Sequence, residues 1–248
     1  MRIRDLLYTL AILICGTALS SAQFIINPYS FAAGGVTPVS PGTGSLIAWY
    51  DFADATDADG GTYNLAGTNS PTYTAGPPSY GASTNGTPAA YWQQTTFPNT
   101  FVATDGDWSF VIRWRALSGI VNGDRIYRAN GGRSLVEYDT GTGIEGCVGT
   151  STPVSSGVIP TTGVWYTTVL TRSTTTNIVR ISVNGSAFAD SAATTDSNAA
   201  GSATFGASST SDSHPVEIDF AAFYNKELTA ENVAWLYNSD ATRLYSEL

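Results

Sequence analysis

From Leu46 onward, apolar and polar residues alternate in short runs along the chain. Between Trp108 and Trp114 every second residue is bulky and apolar. Because successive side chains of a β-strand point to opposite faces, these residues form one buried face. The same period of two predicts further strands at 46–52, 165–172, 177–183 and 216–224. In the last of them, one core face is expected to hold Val216, Ile218, Phe220, Ala222 and Tyr224.

Turn and cap residues separate these runs. Glycine adopts a positive φ without strain, so the pair Asn184-Gly185 directly after a strand predicts a hairpin. Near the C-terminus, Thr229 can cap a short helix whose apolar residues recur at helical spacing, at Val233, Leu236 and Tyr237. No strand-to-helix alternation appears elsewhere. The pattern therefore predicts an all-β, two-sheet antiparallel β-sandwich with a short C-terminal helix.

Three segments differ in composition. Residues 1–22 have a positive start, an apolar run and the small residues Ser20-Ser21-Ala22, which is typical of a secretory signal. The apolar run is shorter than the roughly 20 residues that a membrane-spanning helix needs. Residues 23–45 form an aromatic arm followed by a Gly/Pro-rich linker, and residues 46–248 form the sandwich. We therefore expect a secreted or surface-displayed protein without a membrane span.

The arm at residues 24–31 carries several bulky apolar side chains, among them Phe24, Ile25, Ile26 and Phe31. A free linker does not need such residues. We expect the arm to dock either on its own sandwich or on a neighbouring subunit.

Composition and charge restrict the partners. Hydrophobic residues make up 42% of the chain and charged residues only 12%, so the chain has enough apolar surface for a core and too little charge for a disordered chain. The formal net charge is −9, and Lys226 is the only lysine. A nucleic-acid partner is not expected, because phosphate binding requires clustered positive charge.

Three stretches of sequence carry a family resemblance. They are Leu46 to Phe52, Gly163 to Thr171 followed by Val183-Asn184-Gly185, and Ile218 to Val233 with its Tyr-Asn, Leu and capped helix. Together they resemble the opening strand, the Trp-containing strand with its hairpin, and the closing strand of the concanavalin A-like, laminin G-like (pentraxin-related) jelly-roll domain. The resemblance covers about residues 46 to 238 and implies a jelly-roll sandwich.

Calcium is the metal that the sequence favours. Asp57 and Asp59 stand in a Gly-containing loop, and together with Asp219 they offer the oxygen ligands that calcium prefers. The loop departs from the Ser-Gly-Asn-Gly sequence that is usual in the family, and carboxylates two residues apart also occur in solvated turns.

Catalysis is not expected. Glu217-Ile218-Asp219 resembles the first half of the Glu-Asp-Glu strand of family members that cleave β-glucans. Glycoside hydrolysis needs a second carboxyl group, and Ala221 and Ala222 provide none. His214 is the only histidine, so a His-based zinc cluster cannot form.

Two clusters have the composition of a sugar site, in which an aromatic face and polar hydrogen-bonding groups bind a pyranose together. The stronger is Tyr91, Trp92 and Gln93, and the weaker is Tyr127, Asn130 and Arg133. Most aromatic residues of any sandwich belong to its core, which is the competing interpretation.

Three hypotheses for function follow. The leading one is a non-catalytic glycan-binding or adhesion module, a lectin-like protein at an extracellular surface. The alternative is a virion structural protein, such as a phage capsid-decoration or tail component, with the arm docked on a neighbour. A glycoside hydrolase is the third.

Overall fold

The computed structural model of the chain describes residues 36–61, 63–74, 80–82, 90–95, 106–129, 135–149, 151–194, 203–206 and 215–248. These residues form short strands and one C-terminal α-helix. The strands are β1 Leu46–Tyr50, β2 Ala66–Thr68, β3 Thr72–Thr74, β4 Tyr80–Ala82, β5 Tyr91–Gln94, β6 Trp108–Ala116, β7 Arg125–Ala129, β8 Leu135–Asp139, β9 Gly143–Cys147, β10 Val154–Ser155, β11 Tyr166–Ser173, β12 Ile178–Val183, β13 Ala189–Asp190, β14 Ala203–Gly206 and β15 Val216–Tyr224. The helix, α1, is Ala230–Tyr237.

The strands pair antiparallel in two sheets. Sheet A has the order β13-β12-β11-β6-β15-β4-β3, with β1 also paired to β15, and sheet B has the order β10-β9-β8-β7-β14-β5-β2. The hairpin at Asn184-Gly185 joins β12 to β13, and both turn residues have positive φ angles, of 53° and 71°. The predicted fold class, a two-sheet antiparallel sandwich with a C-terminal helix, is confirmed.

The inner core lies between the two sheets. The alternating face of β6 is buried in it through Trp108, Phe110, Ile112 and Trp114, as predicted. The Phe110 ring stacks on Tyr127 of sheet B with ring centroids 4.0 Å apart, and it contacts Phe223 of β15 at 4.8 Å. These aromatic rings fix the spacing of the sheets at the centre of the domain.

An outer core lies between sheet A and the helix. On this side of the sheet, Trp49, Val111 and Phe220 pack with Val233 and Leu236 of α1. The predicted cap is present. The Thr229 hydroxyl accepts a hydrogen bond from the Asn232 amide, and the Asn232 side chain accepts one from the Thr229 amide. Within the described residues, no helix has the length and apolarity needed to cross a membrane.

Residues 39–41 form a strap that is bound to the outer core. The Val39 amide donates to the Glu231 carbonyl at 3.1 Å, and the Asn232 side-chain amide donates to the Val39 carbonyl at 2.9 Å. The Lys226 ammonium donates to the Pro41 carbonyl at 2.6 Å. The last part of the linker is therefore fixed to the helix side of the domain.

The C-terminus lies on the same side. Tyr245 and Leu248 pack against the outer core, and the Ser40 hydroxyl of the strap donates to the Leu248 carbonyl at 3.2 Å. The strap and the C-terminal segment thus cover sheet A together.

A β-bulge in β15 changes which residues face the inner core. The pairing of β15 with β6 shifts register between Ile218 and Phe220. Val216 and Ile218 face the inner core, but the next residues to do so are Ala221 and Phe223. The prediction that one face holds all five alternating residues is therefore wrong from Phe220 onward, since Phe220, Ala222 and Tyr224 belong to the outer core.

Asp219 is the extra residue of this bulge. Its buried carboxylate accepts hydrogen bonds from the Arg113 guanidinium at 3.2 Å and from the Thr242 hydroxyl at 2.8 Å. Burial raises the pKa of Asp219 to about 6, although Arg113 and Thr242 both act to lower it. Desolvation is therefore the larger effect on the Asp219 carboxylate. Arg113 and Asp219 are both buried, and removal of either would leave the other as an unpaired buried charge.

Gly81→Ala tests how tightly the inner core is packed at β4. A Cβ at Gly81 would lie 2.4 Å from the Trp92 ring, which is rigid and fully buried. We expect the free energy of unfolding to fall by about 1 to 3 kcal/mol, as measured by urea denaturation. Gly119→Ala is the control, because its Cβ meets no atom within 4 Å. Equal stabilities of the two variants would contradict this packing.

Arg113→Met tests the buried ion pair, with Arg115→Met as a matched control. Both guanidinium groups lie over the Trp165 ring, at 4.8 and 4.7 Å, and each pairs with a carboxylate of β15. The Arg113–Asp219 pair is buried and the Arg115–Glu217 pair is partly exposed. We expect the free energy of unfolding, measured by urea denaturation, to fall by about 3 to 5 kcal/mol in Arg113→Met. In Arg115→Met we expect it to fall by less than about 1 kcal/mol.

The loss in Arg113→Met also depends on pH. The folded-state pKa of Asp219 is about 6, above its ordinary value of 3.8. The contribution of Asp219 to the free energy of unfolding is therefore greatest below pH 4, where the carboxyl group is protonated, and it is lost as the pH rises through 6. Without Arg113 the folded pKa rises further. The difference in free energy of unfolding between Arg113→Met and the wild type is therefore expected to be larger at pH 7.5 than at pH 5. A difference that grows towards low pH would refute this reasoning.

Candidate functional site

The loop after β1 is organised by Asp57. One carboxylate oxygen accepts hydrogen bonds from the Trp49 and Asp59 amides, both at 3.0 Å, and the other accepts one from the Tyr63 amide at 3.3 Å. The side chain is buried. Asp57 therefore binds backbone amides of its own loop. The Asp59 carboxylate accepts a hydrogen bond from the Tyr245 hydroxyl at 2.8 Å.

The three predicted calcium ligands do not form one group. Among the described residues, which include Asp57, Asp59 and Asp219, no cluster of three or more His, Cys, Asp or Glu side chains is placed to hold a metal ion. Asp219 lies instead in the bulge, bound to Arg113 and Thr242. Calcium binding stays a prediction, but these three carboxylates are not a preformed site.

Trp92 is a core residue. Its indole is fully buried, its Nε1 donates to the Tyr73 hydroxyl at 2.8 Å, and its ring packs edge-on against Phe52 at 5.0 Å. The expectation that Trp92 is an exposed platform for a sugar is therefore wrong. In the four-residue strand β5, Trp92 and Gln94 point inward, where the inner core needs a large side chain.

Tyr127 is also a core residue. The pairing of β7 with β8 shifts between Arg125 and Tyr127, so Ile126 and Tyr127 both face the inner core. Burial raises the pKa of the Tyr127 phenol. Tyr127 is thus not available to a ligand. The two residues predicted to act with it, Asn130 and Arg133, lie outside the described residues, as do His214 and the arm at 24–31.

Tyr91 and Gln93 lie on the opposite face of β5. The burial pattern of this strand alternates, with Tyr91 and Gln93 partly exposed on the outer side of sheet B. These two members of the predicted sugar site remain candidates.

A polar stripe extends from them across the outer side of sheet B. We define the polar stripe as the side chains of Tyr91, Gln93, Thr204, Arg128, Arg125, Glu137 and Glu145. Each of the seven is next in sequence to a residue that points into the inner core, such as Phe205 or Val136, so its own side chain points to the outer side of the sheet. Thr204 and Glu145 are nearly buried, and the other five are partly exposed.

One half of the stripe runs from β5 to β7. Gln93 is directly opposite Thr204, and Thr204 is directly opposite Arg128. Side chains paired in this way on adjacent strands are about 5 Å apart at Cβ. The Thr204 hydroxyl donates a hydrogen bond to the Arg128 carbonyl at 3.3 Å. The Gln93 amide and the Arg128 guanidinium, on either side of Thr204, are partly exposed as hydrogen-bonding groups.

The other half runs from β7 to β9. Arg125 is opposite Glu137, with 3.8 Å between Nε and a carboxylate oxygen, and Glu137 is opposite Glu145. The Glu145 carboxylate accepts a hydrogen bond from the Thr142 hydroxyl. Two arginines and two glutamates give this stripe no formal net charge, although the whole chain carries −9.

A gap separates Tyr91 from the charged half. The residue opposite Tyr91 on β14 is Gly206, which has no side chain. One side of the phenol ring is therefore free of a cross-strand neighbour, a position in which an aromatic ring can contact the apolar face of a sugar.

Sequence reasoning missed Arg125, Arg128, Glu137, Glu145 and Thr204. Their signal is present as polar residues that flank the buried Ile126-Tyr127 and Val136. Short runs of this kind do not reveal which strands are neighbours in a sheet, so the stripe cannot be assembled without the topology.

Solved structures with the same fold include binding domains. Domain 4 of AbnA, a GH43 extracellular arabinanase from Geobacillus stearothermophilus, was solved with arabinotriose; it has a TM-score of 0.62 and 14% identity over 78% of this chain and 98% of that chain. The binding domain of Paraclostridial Mosquitocidal Protein 1 has a TM-score of 0.62 and 12% identity, and the binding domain of botulinum neurotoxin DC in complex with SialylT has 0.56 and 15%. Both matches cover 79% of this chain and 52% of the toxin chain, so this chain spans about half the length of either toxin chain.

At these identities, the structural likeness shows the fold. No curated protein matches the sequence significantly. The Laminin_G_3 model, described as the concanavalin A-like lectin/glucanases superfamily, matches residues 93–234, which is more than half of the chain. The chain therefore belongs to the Laminin_G_3 family of the concanavalin A-like lectin/glucanases superfamily, as its strand and hairpin motifs predicted.

Proposed function

We propose that the protein is a non-catalytic glycan-binding or adhesion module of an extracellular surface, and that the polar stripe on sheet B is its binding face. The observation that carries the proposal is the stripe itself, in which one partly exposed aromatic ring lies on the same face of the sheet as amide, guanidinium and carboxylate groups. A sugar ring has an apolar face and a rim of hydroxyl groups, so it is complementary to such a surface.

The likeness to known binding domains supports the same proposal. The arabinanase domain was solved with arabinotriose and the neurotoxin domain with SialylT. Arabino-oligosaccharides and sialylated glycans are therefore the first probes for this chain. The signal-like segment at residues 1–22 supports an extracellular setting.

The way in which the carboxylates are held supports a non-catalytic role. Glu217 is bound by Arg115. Asp219 has a raised pKa, but it is fully buried against Arg113 and Thr242, away from any substrate. On the stripe, Glu137 and Glu145 lie directly opposite each other, but Glu137 pairs with Arg125 and Glu145 accepts from a hydroxyl. An arginine favours the charged form of a carboxylate, whereas a general acid in glycoside hydrolysis must hold a proton.

Glu137→Gln tests the stripe, with Glu227→Gln as a matched control. Both glutamates are partly exposed and paired with an arginine, Glu137 with Arg125 on sheet B and Glu227 with Arg180 on sheet A. A glycan array identifies a ligand, and calorimetry then measures its affinity. We expect Glu137→Gln to weaken binding at least about tenfold, because a hydrogen bond to a charged group is lost. Tyr91→Ala is expected to weaken binding to the same extent, because an aromatic face is removed. Glu227→Gln is expected to leave the affinity unchanged.

Absence of binding to every glycan on the array would overturn the proposed function and favour the virion alternative. Equal affinities of Glu137→Gln and Glu227→Gln would exclude the stripe as the site. Release of sugar from a glucan, lost in Glu217→Gln, would support the hydrolase hypothesis instead. Repeating the array with calcium and with a chelator tests the calcium prediction.

A further inference from the structure

A groove of about 470 Å³ opens at one end of the sandwich. It is formed where the chain between β10 and β11 passes the start of β11 and the end of β12. The groove is lined by Gly157, Val158, Ile159, Thr161, Val164, Tyr166, Val183 and Asn184. Its volume lies within the range of ligand pockets.

The rim of this groove is apolar and exposed. Ile159 is 52% exposed and Val164 is 44% exposed. A second loop adds Leu117, which is 42% exposed, because the two loops are joined by hydrogen bonds from Gly163 to the Ala116 carbonyl and from Thr162 to the Ser118 carbonyl. Large aliphatic side chains gathered in this way mark a surface that another apolar group covers.

Two polar side chains of the groove already have partners inside the protein. The Tyr166 hydroxyl accepts a hydrogen bond from the Thr161 amide at 2.9 Å, and the Asn184 side-chain oxygen accepts one from the Thr167 amide at 2.8 Å. The exposed side chains of Ile159 and Val164, in contrast, have aliphatic surface to offer. An occupant with bulky apolar side chains is a chemical match for this surface.

The chain contains such an occupant outside the described residues. Residues 24–31 read Phe-Ile-Ile-Asn-Pro-Tyr-Ser-Phe. Bulky apolar side chains that stay in water are an aggregation hazard, which favours a covered position for them.

The strap places this segment within reach of the groove. Val39 is held at the start of α1, and the seven residues between Phe31 and Val39 span up to about 25 Å when extended. The groove lies at the far end of β6. Ser109 is bound to the Lys226 carbonyl and Ala116 is bound to Gly163, and the seven steps along the strand from Ser109 to Ala116 extend about 23 Å.

We propose that residues 24–31 dock in the groove between the 157–166 segment and the end of β12 of their own molecule, against the exposed side chains of Ile159, Val164 and Leu117. A segment tethered at this distance has a high effective concentration at the groove, so docking within one molecule is favoured over docking between two. This proposal does not depend on glycan binding, because the groove and the polar stripe share no residue.

Hydrogen exchange on the full chain tests the proposal. The arm variant carries Ile25→Ser and Ile26→Ser, and the groove variant carries Ile159→Asn and Val164→Thr. We expect amides of 157–164 to exchange about tenfold faster in the arm variant, and amides of 24–31 to exchange about tenfold faster in the groove variant. Leu244→Asn is the control, because Leu244 is 45% exposed and does not line the groove; it is expected to change neither segment.

Unfolding does not confuse this test, because the substituted groove residues are exposed and an unchanged melting temperature verifies the fold. Unchanged exchange at 157–164 in the arm variant would overturn the proposal. The proposal would also be overturned if protection of the 157–164 amides disappeared on dilution while light scattering showed a fall in molecular mass. That result would mean that the arm of a second molecule occupies the groove.

Discussion

Strand β15 lies between two hydrophobic cores, so every one of its nine side chains is buried. An uninterrupted strand would send alternate residues to each core in strict order. The bulge at Asp219 breaks that order and assigns Ala221 and Phe223 to the inner core and Phe220 and Ala222 to the outer one. The position of the helix depends on this change, because Val233 and Leu236 belong to the same core as Phe220.

A bulge of this kind requires that the extra residue be accommodated. Here it is a charged residue inside the protein, and Arg113 from the neighbouring strand neutralises it. Hydrophobic burial therefore fixes where β15 lies, and one ion pair fixes how its faces are divided.

Alternation alone predicted much of this architecture. It identified β6, β12 and β15, and the spacing of Val233, Leu236 and Tyr237 identified the helix, because those segments are long enough for a periodic signal. It failed at the two bulges. From Phe220 to Tyr224 the residues on both faces are apolar, so no polar position after Asp219 reveals the change of face. At Ile126-Tyr127 two successive side chains point inward, and the run between the flanking arginines is too short for a periodic signal.

The candidate site shows the same limit. In Tyr91-Trp92-Gln93 the composition was informative but the orientation was not, since a four-residue strand has two equivalent assignments of its faces. The aspartates of the loop after β1 illustrate a second ambiguity. A carboxylate that binds amides of its own loop and one that binds a metal have the same sequence signature, and only the positions of the Trp49 and Tyr63 amides distinguish them.

The shared location of the strap and Leu248 has a consequence for orientation. Both lie behind sheet A, while Tyr91 and Glu137 lie on the outer side of sheet B, at the opposite face of the sandwich. Anything joined to the domain through the strap would therefore lie behind sheet A and leave the outer side of sheet B uncovered.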